Sequence, residues 1–185
     1  MIKDTKNMSA RVFEKASKIK LLILDVDGVM TDGTVYYTNS GDEIKAFNIK
    51  DGLGIKLAQK AGIQVGIITG RSSEIVARRA AELSITPVIQ GREDKEIALS
   101  EVAKQMQLDL NAIAYMGDDL PDMSAMQVVG LSLAPADSHR EIQNICDWRS
   151  TKDGGRGAVR EACDLLLEAK HDYQTVLNRY TLGDA

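Results

Sequence analysis

The reading of this chain turns on Leu21-Leu22-Ile23-Leu24-Asp25-Val26-Asp27-Gly28-Val29. Four apolar residues in succession, closed by a glycine, read as a strand buried on both faces, the kind found in parallel sheets. Such a strand has little structural use for two acids at its end. The carboxylates must meet a metal, a substrate or water at the strand's carboxyl end, and in open α/β sheets that edge is where ligands bind. Two plainer readings compete. Asp-Gly is a common turn dipeptide. A calcium loop would need D-x-[DN]-x-[DN]-G entered from a helix, with a Glu further on. Here the glycine follows the second Asp at once and the entry is a strand, so the calcium reading fails.

Working outward, the chain alternates strand and helix signals. Residues 11–18 read as a leading helix and Leu21–Val26 as the first strand. Thr34–Tyr37 and Glu43–Phe47 flank Thr38-Asn39-Ser40-Gly41-Asp42 and predict a β-hairpin. Asp51 is expected to cap a helix that runs to Lys60 and stops at Gly62. Gln64–Ile68 is the next strand, followed by a helix capped by Ser72 or Ser73 and ending near Leu83. Thr86–Gln90 is a short strand. Asp94–Met106 is a helix with Ile97, Ala98, Val102 and Met106 at helical spacing. Ala112–Met116 is a strand, Pro121 opens a short helix to Gln127, Leu131–Leu133 is a strand, and Ser138–Cys146 is helical. Gly154-Gly155-Arg156-Gly157 breaks the chain before a last helix from Ala158 to about Tyr180. This order predicts a Rossmann-like, doubly wound parallel sheet with helices on both faces and one inserted hairpin.

Length and composition bound the rest. At 185 residues, of which 44% are hydrophobic, one domain spanning 1–185 is expected. A net charge of −4 argues against a nucleic-acid or anionic-membrane partner. Cys146 and Cys163 have no ligand-like spacing and read as reduced thiols. The first 20 residues lack the apolar core of a secretory signal, and no apolar run approaches the ~20 residues that span a bilayer. A cytoplasmic protein is expected. Trp148 and the last helix read as core packing.

In a parallel sheet all carboxyl ends of strands share one edge. Asp25 and Asp27, Thr69-Gly70-Arg71, Lys95 and Gly117-Asp118-Asp119 therefore converge, although each alone passes for a turn, a helix cap or a surface cation. Their chemistry suits phosphoryl transfer, which needs positioning and charge stabilisation. Asp25 is ionised at neutral pH and can attack phosphorus without a base, forming an aspartyl-phosphate. Asp27 then protonates the leaving alkoxide and later takes a proton from water. Thr69 can donate its hydroxyl to a phosphoryl oxygen, and Lys95 supplies a point charge. Asp25, Asp27 and Asp118 brought together repel one another, and Mg²⁺, which takes carboxylates and waters, relieves that repulsion.

These residues resemble the four motifs of the haloacid dehalogenase superfamily: D-x-D-G at Asp25–Gly28, a Thr after an apolar strand at Thr69, a Lys at a helix start at Lys95, and G-D-D-x-x-D at Gly117–Asp122. The stretches Asp32-Gly33, Phe47–Ile55, Ile67–Arg71 and Gly154–Glu161 are similar to a branch of phosphatases acting on acidic sugar phosphates. The resemblance implies an Mg²⁺-dependent phosphatase of 3-deoxy-D-manno-octulosonate 8-phosphate in lipopolysaccharide precursor synthesis. A nonulosonate 9-phosphate is the alternative substrate, and a catalytically silent assembly domain is the reading from another class. It implies Asn48, Ile49, Lys50, Asp51, Gly52, Lys56, Arg71, Arg79 and Lys95 as substrate contacts alongside Asp27. Arg71 and Arg79, eight apart, are expected on one side of one helix. A homotetramer without a large cap domain is implied, and between Asp27 and Asp51 there is room for a hairpin only. Hairpin 34–47 is then expected to drive assembly and the tail around Arg156 to reach a neighbour's site. A two-stranded flap on a monomer and a plain Gly-rich linker are the alternatives.

Overall fold

The computed structural model describes residues 10–181. Its centre is β1 (Leu21–Leu24), whose four residues are fully buried. Successive side chains of a strand point to opposite faces, and each face here has its own core. Leu22 and Leu24 pack with α1 (Ala10–Ser17), α2 (Ile49–Lys60), α3 (Glu74–Glu82) and α7 (Ala158–Ala169). Leu21 and Ile23 pack with α4 (Lys95–Met106), α5 (Met123–Val128) and α6 (Arg140–Ile145). Each such buried aliphatic side chain contributes about 1.5–3 kcal/mol, which is why the run tolerates no polar residue before Asp25.

The sheet runs β5 (Val88–Ile89), β4 (Gln64–Ile68), β1, β6 (Ile113–Met116), β7 (Leu131–Ala134), β8 (Trp148–Arg149), all parallel. Strand order reverses direction between β1 and β6, so the crevice beyond their carboxyl ends is the binding edge of a doubly wound sheet. A separate antiparallel pair, β2 (Tyr36–Tyr37) with β3 (Glu43–Ile44), forms the inserted hairpin. Its turn closes through Thr38 and Asp42, with Gly41 at φ +90°.

Several boundaries differ from the sequence expectation. β1 ends at Leu24 rather than Val26, because Val29, Met30 and Thr31 all donate their N–H groups to the Val26 carbonyl in a tight turn. The cap of α2 is Asn48, whose side chain accepts from Lys50 N at 2.8 Å; Asp51 lies one turn in and is buried. Ser73 occupies the cap position of α3, but its hydroxyl accepts no helix N–H and instead donates to Glu43 Oε2 at 3.0 Å. Ile97 is 57% exposed, and α4 presents Ala98, Leu99, Val102 and Ala103 to the core. The last helix is two: α7 ends at Ala169, His171 takes φ +62°, and α8 covers Tyr173–Thr181. Trp148, expected only as packing, is half-buried against the core and also begins the sixth strand. Both cysteines are free. Among the described residues no helix is long and apolar enough to cross a membrane.

Candidate active site

Asp25 follows β1 directly, held by its N–H to Met116 O at 3.0 Å. Gly28 turns the chain at φ +93°, and a side chain there would run into the Asp118 carboxylate. That glycine is what lets the loop after β1 and the end of β6 approach. On the β6 side, Gly117 leaves room for Asp122, which closes a capping box with Asp119 around the turn Leu120–Asp122.

Asp122 is saturated. Its Oδ1 accepts from Lys95 Nζ at 2.6 Å and Tyr115 Oη at 2.9 Å, and its Oδ2 from the backbone N–H of Asp118 at 3.1 Å and Asp119 at 3.3 Å. It anchors Lys95 and the Asp118 loop rather than offering a free oxygen. Lys95, at the first turn of α4, is buried, and its ammonium also lies 3.1 Å from Asp25 Oδ1, in ion-pair range without hydrogen-bond alignment. Burial pulls the amine's pKa down, but Asp25 and Asp122 outweigh it and the pKa rises, so Lys95 stays a cation. Burial, then the charge of Asp122, pushes Asp25 up to about 7; burial, then the charges of Asp25 and Asp122, pushes Asp118 up to about 8.

Carboxylate oxygens of Asp25, Asp118 and Asp122 lie within 4.8 Å of one another. Since Asp122 is fully engaged, Asp25 Oδ1 and Asp118 Oδ1, both buried without a hydrogen-bond partner, are the oxygens with unmet demand. Hard oxygen donors supplied by two carboxylates fit Mg²⁺. The carboxylate of Asp27, expected as a third ligand, is not in this cluster. It turns to the hairpin, where Lys45 Nζ pairs with its Oδ1, and to Arg71, whose Nε lies 3.7 Å from its Oδ2.

The remaining sequence-predicted residues divide. Thr69 is buried at the end of β4. Arg71 precedes α3 and Arg79 lies on it, so the two do not share one helix face as the spacing suggested. Arg71 reaches Glu43 Oε1 at 2.9 Å and Tyr37 Oη at 3.4 Å, whereas the Arg79 guanidinium lies over the Phe47 ring at 5.7 Å and pairs with Glu82 at 3.3 Å. A Cβ at Gly52 would come within 2.5 Å of Arg79 Nη2, so a side chain there would displace that guanidinium. Asp51 Oδ1 accepts from Arg160 N at 2.8 Å, which makes it a tether between α2 and α7. Asn48 donates to Gly155 O at 3.2 Å. Ile49 (84% exposed), Lys50 and Lys56 face solvent. Between hairpin, α2 and the Gly-rich segment runs a groove of about 570 Å³ lined in part by Asp32, Tyr36, Phe47, Asn48 and Arg156. Within this chain Arg156 pairs with its own Asp32 at 3.4 Å.

Sequence reading missed Lys45, Glu43, Tyr115 and the part played by Asp122. Asp122 closes the G-D-D-x-x-D pattern, four residues after Asp118, so its signal was present. Lys45 carries none, because alternation in a short hairpin says nothing of which lysine turns inward.

The haloacid dehalogenase-like hydrolase family model matches residues 85–162. The 3-deoxy-D-manno-octulosonate 8-phosphate phosphatase of Escherichia coli (strain K12) is 49% identical over 163 residues, 88% of this chain and 87% of the relative. A solved structure of the phosphatase of that name from Moraxella catarrhalis, in complex with magnesium, phosphate and KDO, superimposes with TM-score 0.90 at 41% identity, covering 91% of this chain and 97% of the other. The cobalt-bound form of the Haemophilus influenzae phosphatase gives 0.84 at 40% identity, covering 87% and 94%.

Proposed function

Since the chain belongs to the haloacid dehalogenase-like hydrolases, among the 3-deoxy-D-manno-octulosonate 8-phosphate phosphatases, we propose that it hydrolyses that sugar-acid phosphate to the free sugar acid and phosphate. The observation that carries this reading is the pair of buried oxygens without a hydrogen-bond partner, Asp25 Oδ1 and Asp118 Oδ1, with the Lys95 ammonium 3.1 Å from the former. Asp25 attacks phosphorus; the ester P–O bond breaks and its electrons go to the alkoxide oxygen, which takes the proton from Asp27. Asp27, now ionised, takes a proton from water as that water's oxygen bonds to phosphorus and the Asp25–phosphorus bond breaks, which returns both residues to their starting states. Lys95 holds Asp25 in place and offsets the charge arriving on the phosphoryl oxygens, and Thr69 donates its hydroxyl to one of them. Asp25 and Asp118 would hold Mg²⁺, which would supply charge neutralisation for the phosphate and relieve the repulsion between the carboxylates. Asn48, Lys50, Lys56, Arg71 and Arg79 are the proposed contacts to the sugar acid, with Ile49, Asp51 and Gly52 shaping the wall between them.

The test is phosphate release from 3-deoxy-D-manno-octulosonate 8-phosphate beside a nonulosonate 9-phosphate, with and without Mg²⁺. The expected result is Mg²⁺-dependent release with the eight-carbon ester preferred. Preference for the nine-carbon ester keeps the mechanism and changes the substrate; release from neither overturns the phosphatase reading and leaves an assembly domain.

The chain is proposed to act as one domain, in the cytoplasm, as a homotetramer. Tyr36, Tyr37 and Ile44 on the hairpin and Ile49 on α2 are exposed apolar side chains in one region, more than scattered surface residues explain. Sedimentation is expected to give four chains per particle. A monomer with full activity would sink the assembly.

A further inference from the structure

The hairpin places one cation where solvent does not reach. The Lys45 side chain is 1% exposed, its ammonium paired with Asp27 Oδ1 and 3.5 Å from Glu43 Oε1. Arg71, the other cation beside Asp27, is 48% exposed, stands 3.7 Å from Oδ2 and divides itself among Asp27, Glu43 and Tyr37. One cation is dry and committed; the other is wet and shared. Asp27 itself sits on the tight turn after β1, outside the Asp25–Asp118–Asp122 cluster, so no group of that cluster fixes its carboxylate.

We infer that Lys45 is a positioning residue for the phosphatase reaction: by holding Asp27 Oδ1 it makes Oδ2 the oxygen that gives the proton to the leaving alkoxide and takes one from water. An ammonium only donates, so the oxygen it holds is the poorer place for a proton, and the choice between the two oxygens is made by geometry. Glu43 keeps Lys45 from swinging out, and Ser73, donating to Glu43 Oε2 at 3.0 Å, ties that carboxylate to the start of α3. Arg71, being shared and wet, is then free to turn to a substrate without releasing Asp27. The two-stranded insertion thus supplies part of the acid–base machinery rather than cover alone.

This inference rests on the phosphatase reading above, and leaving groups separate the two. A sugar alkoxide needs Asp27's proton to depart; p-nitrophenolate does not. With Lys45→Met, turnover of the sugar-acid phosphate is expected to fall roughly a hundredfold, within the range that general acid–base groups supply, and KM to change less than about threefold. In stopped flow with p-nitrophenyl phosphate, the first nitrophenolate per site is expected to appear within about threefold of the wild-type rate. A slow steady state follows, because the water step also uses Asp27. Lys45→Arg, which keeps the cation, is expected to recover at least about tenfold of the lost sugar-phosphate turnover. Calorimetry is expected to give an Mg²⁺ affinity close to wild type for both variants. A first-turnover loss with p-nitrophenyl phosphate as large as the loss on the sugar ester, or no loss on either, overturns the role of Lys45. If Lys45→Met does not fold, Lys45→Gln is read in the same way. Wild-type protein that hydrolyses neither ester overturns the phosphatase reading and this inference with it.

Discussion

Asp25→Asn abolishes phosphate release, by roughly ten-thousand-fold or more, because the attacking oxygen becomes a neutral amide that cannot form the phosphoenzyme. The same substitution leaves the fold intact. Asp25 is a buried carboxyl whose folded pKa is raised by burial to about 7. A raised carboxyl contributes its full stability below its unfolded pKa and loses it as pH climbs through the folded value. The metal-free wild type is therefore expected to lose thermal stability as the pH rises through about 7, and Asp25→Asn to lose less of it. Thermal unfolding without Mg²⁺ across that range, beside turnover, checks both halves. Near-normal turnover would remove Asp25 from the nucleophile's role. A variant that unfolds more readily than wild type at alkaline pH would mean that Asp25 is held by attraction to Lys95 more than it is penalised by burial.

The second large effect is on the metal. Asp118→Ala is expected to weaken Mg²⁺ binding by more than roughly a hundredfold, the upper end of what losing a mere supporting group costs. The pH dependence identifies the cause. With Asp25 raised to about 7 and Asp118 to about 8, both carboxyls carry protons in mildly acidic solution and must release them for the metal to bind. Wild-type affinity should therefore climb as pH rises, by about tenfold per pH unit for each proton released, and level off above the higher pKa. In Asp118→Ala one of those protons is gone and the climb is shallower. Calorimetry in buffers of different ionisation enthalpy counts the protons directly. An unchanged titration would take Asp118 out of the ligand set, and a flat pH profile would mean that burial does not govern these carboxyls.

The fold was legible where hydrophobic period and strand order decide it. Leu21–Leu24, short, apolar throughout and closed by Gly28, reads as a strand buried on both sides, and once the sheet was parallel, Asp25, Thr69 and Asp118 had to share an edge. The places where reading and structure part are those decided by contacts between distant segments. Asp51 has the chemistry of a cap, yet Asn48 caps α2 because Asp51 is drawn inward by the backbone of Arg160 on α7. Ser73 leaves its helix for Glu43 on the hairpin. Neither partner lies within local reach, so no local rule could name it. Trp148-Arg149 is too short to read as a strand and becomes one only through β7. Lys45 turns inward because Asp27 waits there, a fact that no pattern within the hairpin encodes.

The Gly-rich segment has a bearing on synthesis. Gly155 donates its N–H to Val29 O at 2.9 Å, and Gly154 lies so close to the Gly28 carbonyl that any side chain would collide with it. Asn48 and Asp51 are fastened to Gly155 and Arg160 across sequence separations of 107 and 109 residues. The loop that carries Asp25 and Asp27 is thus translated early and braced late. A chain growing from its amino end can form β1, β4 and β6 before the brace exists, yet the loop after β1 gains its backing only once residues 154–160 have emerged. Closing so long a loop slows folding while adding little to the cost once it is made. A growing chain that has not yet reached Gly154 therefore carries Asp25 and Asp27 without the frame that holds their loop.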